Sequence, residues 1–500
     1  MASAITEPAT LPSTGADELD PRRFRALGII AIAQLMIVLD ASVVTIALPS
    51  AQHALHISTA NRQWALTAYT LAFGGLLLIG GRLADFLGRK RMFVISLLGF
   101  GAASALGGLA QDQAMLFGAR ALQGAFAAVM APASLSLLTV TFTEAKERAK
   151  AFGVYGAISG GGAAIGLVLG GALTTYASWR WTLLINVPIA IITAVVATRE
   201  LHESRVGGES HYDLPGAVAI TAGLLSLVYG FTRAQLDGWG SPVTVGFLAA
   251  AIVLIGGFVL WERRAANPLL PLRVVLDRNR GGSFLAALLV GIALFGTFLF
   301  LTYYLQGSLH YSALKSGFAF LPFSGGIIFS ATLASQLLPR FGPRPLMTGG
   351  LLMGAIGLAL FTQIGLHTSY VTHVLPPELL VSIGLGFAFV PFSSTALIGV
   401  APHDAGVASA LVNATQQVGG SLGTALLNTV AASATASYIA AHHPGALFTS
   451  LGNVHGYTTG FTVSAIVLLI AAIAAATMIK ASRDDLPASD PLAALELEMA

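Results

Sequence analysis

The 500-residue chain contains no cysteine, which excludes disulfides, thiolate metal sites and a thiol nucleophile. Charge is scarce: 10% of residues are Asp, Glu, Lys or Arg, less than half of the roughly 25% usual in soluble domains. A P-loop and a His-Glu-x-x-His motif are both missing, so neither nucleotide hydrolysis nor zinc chemistry is encoded, and no cofactor or enzymatic reaction is expected. The formal net charge of +3 comes from short arginine clusters between apolar runs, which gives no polyanion signal and no reason to expect a nucleic-acid partner.

What fills the chain instead is apolar: 55% of residues are hydrophobic. The runs are long and continuous, unlike the short alternating segments of a spanning barrel. The expected class is an all-α integral membrane protein, with the lipid bilayer as its solvent. A helix needs about 20 apolar residues to cross the hydrocarbon. Fourteen runs qualify: 25–48, 63–82, 91–111, 114–139, 150–175, 181–199, 213–233, 242–262, 281–305, 314–338, 345–366, 379–400, 406–436 and 457–480. If both termini lie inside, the inner segments hold 21 Lys and Arg, and the outer loops hold only Arg62, Arg180, Arg233 and Lys315. That asymmetry predicts an even number of crossings with both ends cytoplasmic. Residues 1–24 and 481–500 are polar and read as disordered cytoplasmic tails.

An internal match divides the chain. Gly81-Arg-Leu-Ala-Asp85-Phe-Leu-Gly88-Arg89-Lys-Arg91 follows the second run, and Ser335-Gln-Leu337-Leu-Pro339-Arg-Phe-Gly342-Pro-Arg344 follows the tenth. Gly88 aligns with Gly342, and Asp85 with Pro339. The repeat predicts two six-helix bundles, 25–199 and 266–480, with two inserted helices in 200–265. Paired halves around a midplane site are the architecture of a secondary transporter.

Two full charges fall well within the runs, Asp40 and Arg120. A charge at the bilayer centre costs roughly 2.5 to 3.5 kcal/mol even on mild scales, and usually faces a cavity or a partner. A carboxyl there is drawn towards its neutral form by the lack of water and towards its ionised form by a nearby cation, so Asp40 is the candidate proton carrier. Arginine stays protonated, so Arg120 either biases Asp40 or ties its helix to backbone carbonyls. Gly162, Gly166 and Gly170 (then Gly171) repeat every four residues, as do Gly326, Ser330 and Ala334. Each is a small-residue face for close packing; facing one another, they would form a sliding seam between halves. Asn413, Gln417 and Thr424 share a stripe with Gln416 beside it, which lines a cavity or bridges to another helix. Tyr69, Tyr303 and Tyr304 read first as interfacial belt residues and second as pocket lining. With Gln123, the residues Asn413, Gln416, Gln417, Tyr69 and Tyr303 make up the candidate substrate cavity.

Together these segments resemble the major facilitator superfamily, and within it the fourteen-helix drug:proton antiporter branch (EmrB/QacA-like, with an EfpA-like flavour). Gly81–Arg91 is similar to the superfamily's inner-loop signature. Leu39-Asp40-Ala-Ser42-Val-Val-Thr45-Ile-Ala-Leu-Pro49 resembles the branch's helix 1 motif, and Arg120-Ala-Leu-Gln123-Gly124 its helix 4 motif. Gly162…Gly166-Leu167-Val-Leu-Gly170-Gly171 resembles the helix 5 antiporter motif. Three positions depart from the pattern: Leu167 replaces the usual proline, and Ser42 and Thr45 replace threonine and asparagine. The resemblance implies that Asp40 couples protons with Arg120 as its modulator. It also implies that Asp85 caps the thirteenth helix as a conformational latch, supported by Gly81, Gly88, Arg89 and Arg91. The implied activity is proton-driven export of small amphipathic drugs or natural-product antibiotics, by a monomer in a bacterial inner membrane. Export of lipid-like molecules is the alternative, and nutrient import by proton symport a lesser one.

Overall fold

The computed structural model describes residues 23–485, apart from 60, 143, 205–212, 266–267, 271, 401–404 and 443–444. The expected tails 1–22 and 486–500 lie outside the described residues. The stretch 481–485 does not read as a tail: Ala481 is buried, and Arg483–Asp485 forms a single helical turn.

Polar backbone in lipid must satisfy itself, so the apolar runs become helices. In chain order they are α1 (Arg23–Ala54), α2 (Trp64–Leu87), α3 (Arg89–Gly108), α4 (Gln113–Thr141), α5 (Ala145–Tyr176), α6 (Trp181–Glu200), α7 (Leu214–Asp237) and α8 (Pro242–Glu262). There follow α9 (Arg278–Ser308), α10 (Ala313–Phe341), α11 (Pro343–Gln363), α12 (Tyr370–Leu397), α13 (Ala405–Ala440) and α14 (Ala446–Met478). Several of their starts carry side-chain caps. The Asp112 carboxylate accepts the Met115 N–H (2.8 Å), Asp213 that of Gly216 (2.9 Å), and Ser312 that of Lys315 (3.2 Å). Among the described residues, eleven helices are long and apolar enough to cross a membrane. Trp64–Leu77 of α2 and Gly162–Tyr176 of α5 are further apolar helical stretches among the described residues. Among the described residues, eleven of the expected fourteen crossings are therefore shown by length and apolarity.

Helix pairing recurs along the chain. In the first block α1 packs on α5, α2 on α4, and α3 on α4 and α6. In the second, α9 packs on α13, α10 on α12, and α11 on α12 and α14. The aligned glycines do the same job in both: Gly88 (φ 108°) turns α2 into α3, and Gly342 (φ 76°) turns α10 into α11, conformations costly for a residue with a Cβ. Between the blocks, α2 packs on α13 and α5 on α10, while α7 and α8 pair with each other and α7 lies against α2 and α13.

One membrane face carries both ends of the described chain and is called the terminal side. There Arg23 Nε donates to Glu147 (2.8 Å) and Arg278 Nε to the Met478 carbonyl (3.1 Å). The opposite face is the far side. Hydrogen bonds between the blocks cluster in its half of the bundle. The Thr67 and Thr424 hydroxyls meet at 2.6 Å, as do Thr70 and Ser421. Arg62 Nε donates to Asn428 Oδ1 (3.0 Å), and Tyr303 Oη donates to Gln52.

Candidate functional site

A cavity of about 350 Å³ lies between the blocks. Its walls come from α1 (Gln34, Ser42, Thr45), α2 (Tyr69, Phe73), α4 (Pro132), α5 (Tyr155, Leu167), α9 (Phe295, Phe298) and α13 (Asn413, Gln416, Gln417). The rest of the described lining is aliphatic, and no charged side chain takes part among the described residues. Tyr155 donates to Gln34 across the wall at 2.7 Å. Tyr69 Oη and Gln417 Oε1 are buried with no hydrogen-bond partner, so both can pair with a bound molecule.

Directly behind Tyr69 sits a buried charge cluster. Asp40 and Arg120 are wholly buried and ion-paired at 2.5 Å. The second oxygen of Asp40 accepts Gln123 Nε2 and Asn186 Nδ2, each at 2.9 Å. Gln123 Nε2 also donates to Ser104 Oγ at 2.7 Å. Arg120 Nε donates to the Ala65 carbonyl (2.9 Å), and a second guanidinium nitrogen reaches Gln123 Oε1 (2.8 Å). The guanidinium lies 4.4 Å from the centre of the Tyr69 ring, a cation–π contact. Gly124 permits this assembly. A Cβ there would sit 3.0 Å from the Tyr69 carbonyl carbon, so only a glycine lets α4 approach α2 closely enough to place Arg120 on Ala65. Arg120 makes both contacts left open in the sequence, an ion pair with Asp40 and a hydrogen bond to a backbone carbonyl.

The other sequence-stated sites distribute unevenly. Tyr69, Asn413, Gln416 and Gln417 line the cavity. Gln123 does not; it belongs to the Asp40 cluster. Tyr303 does not either: its hydroxyl pairs with Gln52, and the Arg62 guanidinium covers its ring at 4.1 Å on the far side. The interfacial-belt reading is overturned for all three tyrosines, since Tyr69, Tyr303 and Tyr304 are buried. The Asn413 stripe splits, with its first turns facing the cavity and Thr424 bridging to α2.

The expected facing of the glycine ladders is also overturned. Gly162, Gly166 and Gly170 approach Leu35, Val38, Ser42 and Val43 of α1, in their own block. Gly326 and Ser330 approach Ser382 and Gly386 of α12, again in their own block. Only Gly171 reaches across, to Ala313 and Leu314, and its unforeseen counterpart is Gly317 against Leu167 and Val168. Four-residue spacing sets a face on each helix, but helix tilt decides which neighbour that face meets. Leu167 leaves α5 unbroken from Ala145 to Tyr176.

In the inner-loop segment, the Asp85 side chain lies outside the described residues. Gly81 faces Pro132 of α4. The start of α3 is held by a residue the sequence did not suggest: the Glu203 carboxylate accepts the backbone N–H groups of Lys90 (3.1 Å) and Arg91 (3.0 Å). Arg89 N–H donates to the Ser204 carbonyl at 3.0 Å. A carboxylate at a helix N-terminus is favourable. Two further buried groups escaped the sequence. Arg62, counted as an outer-loop residue, is buried, and so is Glu378 of α12. Asp40 is therefore not the sole buried membrane carboxyl.

The family model of the Major Facilitator Superfamily matches residues 30–424. A puromycin resistance protein of Streptomyces alboniger is 51% identical over 463 residues, covering 92% of each chain. A cephamycin export protein of Amycolatopsis lactamdurans is 39% identical, over 85% of this chain and 89% of its own. The crystal structure of a bacterial homologue of the human lysosomal transporter Spinster shares the fold at a TM-score of 0.65, with 17% identity, covering 94% of this chain and all of its own. The chain is a multi-pass membrane transporter and belongs to the Major Facilitator Superfamily, in its drug-exporter branch.

Proposed function

We propose that this protein exports amphipathic antibiotics of the puromycin type from a bacterial cell, each molecule exchanged for protons. The observation that carries the reading is the placement of the Asp40–Arg120 pair directly behind an uncharged, aromatic cavity, with Tyr69 belonging to both. Aromatic and aliphatic walls with a few amides suit flat amphipathic molecules. The lack of charged side chains among the described lining residues disfavours import of a charged nutrient.

The coupling follows from electrostatics. With Asp40 ionised, its carboxylate holds Arg120, Gln123 and Asn186 in one network. A proton on Asp40 cancels the charge Arg120 leans on, and the guanidinium then rests on Ala65, Gln123 and the Tyr69 ring alone. Tyr69 is shared with the cavity wall, so the charge state of Asp40 and occupancy by drug bias the same side chain. The recurring helix pairing supports two rocking bundles, 25–199 and 266–480, with 200–265 inserted between them and fourteen crossings in all. The arginine distribution supports a cytoplasmic terminal side. On this reading the cavity loads from the cytoplasm while the far-side seam is shut, and Asp85 with Arg89 latches the opposite state.

Inverted membrane vesicles test the energy source. Uptake of radiolabelled puromycin is expected when a proton gradient is imposed, to collapse with a protonophore, and to ignore ATP removal while the gradient is held. ATP-driven uptake in de-energised vesicles would contradict the reading.

A further inference from the structure

Glu378 stands in the first turn of the regular part of α12 and has no solvent exposure. Beside it is an apolar crevice too tight for water, walled by Thr297, Phe298, Leu301, Phe320, Phe323 and Phe361. The described groups facing its carboxyl are the Tyr370 hydroxyl and the Phe323 N–H, and Oε1 makes no hydrogen bond. Past Tyr370 come Tyr311, with ring centres 6.5 Å apart, and Lys315, whose ammonium lies on the Tyr311 ring at 3.7 Å. Lys315 is thus engaged with an aromatic face and forms no ion pair with Glu378.

Tyr370 has one hydroxyl proton and two oxygen neighbours. The Ala319 carbonyl, at 2.7 Å, can only accept. Glu378 Oε2, at 3.1 Å, is the longer contact. If the Tyr370 proton goes to Ala319, the second contact is a hydrogen bond only when Glu378 carries a proton and donates it to Tyr370 Oη. An ionised carboxylate in a dry crevice with one oxygen unpaired is far costlier than the neutral acid. Phe298 borders both this crevice and the main cavity, as Tyr69 borders both the cavity and the Asp40 cluster. In the proposed repeat, α12 is the fourth helix of its block, as α4 with Arg120 is of the first.

We propose that Glu378 is a second proton-carrying site of this transporter, reached from the far side through Tyr370. It rests on the antiporter reading. Glu378 takes one proton from the far side and gives the same proton up to the terminal side, alternating between neutral acid and carboxylate with no other bond changed. Together with Asp40 this makes about two protons per drug molecule, one from each block.

Infrared spectroscopy of the purified protein tests the protonation without any substrate. Wild type at neutral pH is expected to show the carbonyl band of a buried carboxylic acid, and Glu378→Gln, which keeps shape and volume, to lack it. Tyr370→Phe should keep the band but shift it. Persistence of the band in Glu378→Gln would overturn the proposal. In proteoliposomes, the pH gradient that balances a puromycin gradient should report about two protons per puromycin in wild type and about one in Glu378→Gln. An unchanged ratio in Glu378→Gln would overturn this site and leave the antiporter standing, whereas a wild type that moves no protons would remove the antiporter reading itself.

Discussion

Asp40→Asn is expected to abolish uphill export of puromycin while leaving puromycin binding and the fold in place. The amide keeps the shape of the carboxyl, and its oxygen can still accept from Arg120. Its nitrogen is the source of the defect. Gln123 Nε2 and Asn186 Nδ2 both donate to the same Asp40 oxygen, so with nitrogen in its place both must turn their amides or lose that acceptor. A lost buried acceptor costs about 1–3 kcal/mol. Arg120 keeps Ala65, Gln123 and Tyr69, which limits the damage. Arg120→Ala should be worse for stability, by about 3–5 kcal/mol, because it strands an unpaired carboxylate in the bundle. The functional loss in Asp40→Asn is of another kind: the position can no longer exchange a proton, so a gradient has nothing to act on there. Accumulation in energised vesicles should fall to the passive level while equilibrium binding of labelled puromycin persists. Wild-type accumulation by this variant would remove Asp40 from the coupling.

The second large effect concerns the far-side seam. The Thr67 and Thr424 hydroxyls lie 2.6 Å apart, on helices from different blocks. Cysteines in both places would have room for a disulfide, whose S–S length is about 2.0 Å. The natural chain has no cysteine, so no background thiols need removing. Oxidised Thr67→Cys/Thr424→Cys protein is expected to lose export completely and to regain it on reduction, because the seam must part for the drug to leave. Neighbouring contacts make the same junction: Thr70–Ser421, and Arg62 and Gln63 on Asn428. Full export by the cross-linked protein would show that this seam does not open in the cycle.

The Asp40–Arg120 pair was legible because lone charges inside apolar runs are conspicuous and expensive. Its remaining partners were not. Gln123 carries a motif signal, but Ser104 and Asn186 are ordinary polar residues on two other helices, and only packing brings them to one point. Glu378 was lost to a boundary. The apolar run begins at residue 379, whereas the helix starts at Tyr370 with a widened turn and includes the acid. Arg62 was lost among polar neighbours that look like a loop but fold over Asn428 as a buried junction. The glycine spacings gave the faces of α5 and α10 and not their partners. Glu203 is more than a hundred residues from the helix start it caps, beyond any local pattern. The repeat was visible in one loop only, and the shared positive φ of Gly88 and Gly342 shows why that loop kept its glycine in both copies.

The most direct measurement for proton exchange against drug uses proteoliposomes loaded with puromycin and an internal pH dye, then diluted into drug-free buffer of equal pH. Puromycin leaving in exchange for protons should acidify the interior faster in wild-type liposomes than in protein-free ones, and Asp40→Asn should match the protein-free rate. Carrier-mediated puromycin exit with no added acidification in wild type, or equal acidification by Asp40→Asn, would contradict the account.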